Sequence, residues 1–130
     1  MPISWSLQPA SPYTVVTFSD PYTFQQWEAA FAEMVAARAC EPWRRFLIDR
    51  RNSMPPTSEF VGRMVYALSG HAALTDHTRV AVVVSTDAGF GMGRMAQMSA
   101  EASSPAISMR VFRSYEAAEG WLNVKGQQAT

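Results

Sequence analysis

Arg79-Val80-Ala81-Val82-Val83-Val84-Ser85 is the stretch on which the fold turns. Its apolar residues run unbroken from Val80 to Val84, without the three-to-four spacing of a helix. A short run of this kind predicts a central parallel strand buried on both faces. Parallel strands need crossover connections, so the sequence on either side should alternate helix and strand. It does so in both directions.

Downstream, Gly89, Gly91 and Gly93 follow Asp87 and read as a turn opening a helix that carries Met92, Met95 and Met98. Ser103, Ser104 and Pro105 form a loop. Ile107, Met109 and Val111 alternate with Ser108 and Arg110 as a last strand. Ser114 then caps a helix holding Ala118, Trp121 and Leu122. Upstream, Phe60, Val61, Met64, Val65 and Leu68 mark a helix after Pro55 and Pro56, capped by Thr57 or Ser58 and stopped at Gly70. Phe46-Leu47-Ile48 is a short apolar strand closing on Asp49, Arg50 and Arg51. An earlier helix is predicted to start at Asp20-Pro21 and run to about Cys40, with Phe24, Trp27, Phe31, Met34 and Val35 inward. Tyr13 to Phe18 reads as a strand. So does Ile3 to Gln8, where Ile3, Trp5 and Leu7 alternate with polar residues before Pro9, Ser11 and Pro12 break the run.

The order is ββαβαβαβα: an α/β fold with a five-stranded mixed sheet, an antiparallel first strand at its edge, and four helices. The chain of 130 residues fits a single domain over residues 1–124, with a polar tail at 125–130. Trp27 and Trp121 are expected inside.

Composition narrows the function. Eleven basic residues balance eleven acidic ones, so no global field draws the chain to nucleic acid or anionic lipid. No apolar run is long enough for membrane insertion. Residues 1–4 have neither the basic nor the apolar region of a signal peptide, so a cytoplasmic location is expected. Cys40, the one cysteine, cannot form an internal disulfide or a Cys-rich zinc site, and no cofactor or metal is expected. His71 and His77 lie in one polar segment without acidic or thiol partners at ligand spacing.

Val15-Val16-Thr17-Phe18-Ser19-Asp20, Phe46-Leu47-Ile48-Asp49-Arg50-Arg51, Arg79 to Val84 before Gly91-Met92-Gly93-Arg94-Met95, and the closing Val111-Phe112 with Ala118-Glu119-Gly120-Trp121-Leu122 occur together. This set resembles the bacterial SpoIIAA-like family, related to STAS domains and to the Sec14-like lipid-binding fold. The resemblance covers nearly the whole chain but mostly through core positions. It implies a fold far more than a function. In STAS-type anti-sigma-factor antagonists, a phosphorylatable serine follows the strand that ends in Asp. Counted from Asp49, that position falls at about Ser58. Those antagonists carry Asp-Ser and then Gly-Leu there, where this chain has Thr57-Ser58-Glu59-Phe60; the other reading of Ser58 is a helix cap.

Two candidate sites emerge. Arg50 and Arg51 follow one parallel strand, while Gly91, Gly93 and Arg94 follow another, so a small anion could meet them at the carboxyl ends of the strands, where strand order reverses. The glycine spacing matches neither a dinucleotide fingerprint nor a P-loop. Alternatively, Met64, Met92, Met95 and Met98 line an apolar site. The first site suits a non-enzymatic regulatory or binding module that meets a partner protein or anionic ligand. The second suits a carrier of a small apolar or amphipathic ligand, which the Sec14-like resemblance also implies. A cavity of several hundred Å³ beneath the third helix favours the carrier; a solid core with a shallow basic cleft favours the first. The first strand, lacking Lys and Pro from Ile3 to Gln8, is a candidate edge for a homodimer.

Overall fold

A computed structural model describes residues 3–7, 13–36, 45–69, 78–103 and 107–123. Their elements are β1 (Ile3–Leu7), β2 (Thr14–Ser19), α1 (Phe24–Ala36), β3 (Arg45–Asn52), α2 (Ser58–Ser69), β4 (Thr78–Val83), α3 (Asp87–Ser103), β5 (Ile107–Phe112) and α4 (Tyr115–Asn123). The strands form one sheet in the order β1-β2-β3-β4-β5, with β1 antiparallel to β2 and the other pairs parallel. The expected element order, mixed sheet and four helices are all present.

Each parallel crossover steps to the next strand. Because such connections share one hand, α1, α2 and α3 fall on the same face of the sheet. There Trp27, Ala30, Met34, Val61, Val65 and Ala96 meet Val16, Phe18, Phe46, Val80, Val82 and Met109 in the larger core. The opposite face is covered by α4, where Ala118 and Leu122 pack on Tyr13, Leu47, Ala81 and Val83. The period-two alternation of β3 and β4 divides them between the two layers, which is why β4 is apolar on both faces from Val80 on. A sheet whose strands follow chain order has no reversal. The switch-point crevice expected from sequence is therefore not formed.

Local chemistry sets the helix starts. Thr57 Oγ1 accepts the Phe60 N–H at 3.1 Å, and Ser114 Oγ accepts the Ala117 N–H at 3.2 Å. The first helix does not begin at Asp20-Pro21. Thr23 and Gln26 form a reciprocal capping box, at 3.1 and 2.8 Å, and α1 starts at Phe24. The Asp20 carboxylate instead accepts the Met54 N–H at 2.8 Å. The glycine run is not a turn either. Thr86 caps α3 by accepting the Gly89 N–H at 2.9 Å, so Gly89, Gly91 and Gly93 all lie within the helix.

The strand expected to close on Asp49, Arg50 and Arg51 includes all three and ends at Asn52. α4 has no basic residue in its last turn, yet its final carbonyls are occupied. Arg45 donates to the Leu122 carbonyl, and Arg79 to that of Trp121 at 3.0 Å. Trp27 is buried as expected, whereas Trp121 is half-buried with Arg79 and Arg110 over its ring. The expected end of the first helix at Cys40, the breaks at Pro9 to Pro12 and at Gly70, both histidines and the tail at 125–130 lie outside the described residues.

Candidate functional site

Between the sheet and the three-helix layer lies a cavity of about 80 Å³. Its floor is built from same-face residues of four strands: Val16 and Phe18, then Phe46 and Ile48, then Val80 and Val82, and finally Met109. Trp27, Phe31 and Met34 of α1, Phe60 and Met64 of α2, and Met92 and Ala96 of α3 roof it. Ser53, Pro55 and Pro56 beyond β3 and Ser85 and Thr86 beyond β4 bound the end at the carboxyl termini of the strands, beside the exposed Met54.

Arg50 is the charged residue in this apolar wall. It is 8% exposed. Its guanidinium lies 4.3 Å from the centre of the Phe18 ring and 5.0 Å from that of Tyr22, and it donates to the Tyr22 hydroxyl. Tyr22 is itself wedged edge-on between Phe18 and Phe60, at 5.2 and 5.5 Å. Burial lowers the pKa of Arg50, and the neighbouring Tyr22 and Asp20 oppose that effect. An arginine starts so high that it stays cationic at neutral pH. No carboxylate among the described residues forms a salt bridge with it. It is a desolvated cation held by aromatic faces and one hydroxyl.

Thr78, the first residue of β4, also lines the cavity. It is 1% exposed, and its Oγ1 has no hydrogen-bond partner among the described residues.

Adjacent residues on a strand face opposite ways, and Arg51 therefore parts from Arg50. Its Nε and Nη2 grip Asp49 at 2.9 and 2.8 Å, and its guanidinium lies 5.0 Å from the Tyr115 ring, on the α4 side. That bidentate bond holds the Asp49 carboxyl below the usual carboxylate range, against a smaller upward push from burial. Arg94 is exposed on α3. Gly91 is exposed within the helix, while Gly93 is pressed against Val111 of β5. The residues expected to cradle an anion together are thus divided between two faces of the sheet and the outside of α3. Of the four methionines, Met64 and Met92 line the cavity, Met95 packs against the core beside it, and Met98 is 64% exposed. Ser58 is the exposed first residue of α2, with Thr57 as its cap.

Sequence reasoning missed Tyr22 and Thr78. Thr78 was within reach, since it shares strand parity with Val80, Val82 and Val84. Tyr22 carries no signal of its own, because its partner lies 28 residues away in sequence. Among the described residues, no three His, Cys, Asp or Glu side chains gather as a metal site, and no helix is long and apolar enough to cross a membrane. No protein-family model, curated protein or solved structure matches the chain.

Proposed function

We propose that this protein is a non-enzymatic binding module for a small amphipathic anion, with the apolar body in the cavity and the anionic head at Arg50. The observation that carries this reading is a buried guanidinium, with no salt-bridged carboxylate among the described residues, in the wall of a mostly apolar cavity. A buried cation is costly unless paired, and aromatic faces with one hydroxyl leave donor positions of the guanidinium for an incoming carboxylate, sulfonate or phosphate. The cavity of about 80 Å³ is smaller than a large carrier pocket, and there is no shallow cleft shared by three arginines. At about 10–15 Å³ for each water-sized group, it has room for roughly five to eight such groups. A medium-chain or aromatic acid has that size. The sequential parallel order supports assigning the fold to the SpoIIAA-like group, and a cytoplasmic site of action belongs to the same proposal.

Calorimetric titration with decanoate and with its neutral counterpart decanol tests it. The wild type should bind both. Arg50→Gln should weaken decanoate about tenfold or more, as expected for loss of a charge-assisted hydrogen bond, and leave decanol unchanged. Retained decanol binding also shows that the variant keeps its cavity. Equal decanoate affinity in the two proteins would remove Arg50 from the site, and failure of both probes to bind the wild type would overturn the reading.

A further inference from the structure

We infer that the ligand of this cavity is bifunctional: it carries a hydroxyl or carbonyl at the end away from its anionic head, and Thr78 receives that group. The inference rests on the amphipathic-anion reading and adds a second polar anchor to it.

Thr78 Oγ1 is buried, lines the cavity and has no hydrogen-bond partner among the described residues. A buried hydroxyl in that condition is an unmet hydrogen-bonding demand. Its position is specific. The β3–β4 register runs from Arg45 opposite Arg79 to Asp49 opposite Val83, so Arg50 comes level with Val84. Val84 is six residues beyond Thr78, which at about 3.3 Å per residue puts up to ~20 Å of strand between the two polar groups. Between them the same face of β4 presents Val80 and Val82. The other polar residues lining the cavity, Ser53, Ser85 and Thr86, follow β3 and β4 and sit at the Arg50 end. A water at Thr78 would need two to four polar partners, and among the described residues the lining offers one polar side chain there. A polar atom delivered on the end of an apolar chain needs no more than that one. The cavity is thus a slot with a cation at one end, a hydroxyl without a partner among the described residues at the other, and hydrocarbon between.

The test is calorimetry with hexanoate, octanoate and decanoate against their ω-hydroxy counterparts, on the wild type and on Thr78→Val. Valine matches threonine in shape and branching, so the fold is retained. At one of the three chain lengths the ω-hydroxyl should raise affinity for the wild type about threefold to tenfold, the yield of one neutral hydrogen bond. In Thr78→Val that gain should vanish, while the unsubstituted acids bind at least as tightly as to the wild type. If the plain acids bind but the hydroxyl adds nothing at any length, or its gain persists in Thr78→Val, the second anchor is refuted and the amphipathic-anion reading stands. If no acid binds, or Arg50→Gln leaves acid binding unchanged, that reading fails and the second anchor with it.

Discussion

Gly91 and Gly93 lie two positions apart in α3 and answer to different forces. A Cβ on Gly93 would stand 2.5 Å from Val111 Cγ2 and 2.8 Å from Val111 Cβ, so glycine there lets the helix lie directly on β5. A Cβ on Gly91 would meet nothing within 4 Å. Gly93→Ala should therefore destabilise by about 1–3 kcal/mol through overpacking. Gly91→Ala should stabilise by roughly 0.5–1 kcal/mol through helix propensity. Denaturant melts of the two variants check the pair, and shifts of the same sign would mean that packing on Val111 is not what separates them. Thr78→Val, which removes a buried hydroxyl without a partner and keeps the shape, should stabilise the ligand-free protein by about 1 kcal/mol. A loss of stability in the same melt would mean that the hydroxyl is hydrogen-bonded in solution. The sequence shows the glycines, but which of them lets the helix approach the sheet depends on where β5 lies.

At the scale of elements, charged residues carry β3 beyond its apolar run of Phe46 to Ile48. Asp49 and Arg51 share one face and neutralise each other, while Arg50 on the other face is covered by Phe18 and Tyr22. Alternation carried on through Asn52 would have separated the two arginines from sequence alone. Placed only at the carboxyl end of the strand, both arginines read as one anion site, because the partner of each is visible only in the fold. The Asp49–Arg51 pair also makes a pH prediction. The folded carboxyl titrates below its ordinary value, so the stabilisation is full above about pH 3.9, the unfolded value, and is lost as pH falls from there through the folded value. Arg51 is 45% exposed, and solvent screening holds the contribution to about 0.5–1 kcal/mol. Asp49→Asn should cost that much near pH 7, and the gap between variant and wild type should close in acid. A gap independent of pH would assign the loss to packing.

For the whole molecule, the consequence of sequential strand order is asymmetry: three helices and the cavity on one face, α4 alone on the other. β1 remains the antiparallel edge, with Ile3 buried and the Trp5 indole donating to Glu33 of α1 at 3.2 Å. Pairing of that edge with a second copy is the homodimer proposed from sequence; it should appear as a concentration-dependent dimer in sedimentation at micromolar protein, and a monomer throughout would remove it. The sequence by itself determined the α/β class, the order of elements, the antiparallel first strand, the cap at Ser114 and a cap at Thr57 or Ser58. These follow from local periodicity and from side chains that bond backbone three residues away. The tertiary structure alone decided that the strands follow chain order and that three helices share a face over one cavity. It also decided that Arg50 enters that cavity while Arg51 turns to α4, and that Thr78 at the far end has no partner among the described residues. Each of these depends on strand register and crossover placement, which bring together residues such as Arg50 and Tyr22 that no local pattern connects.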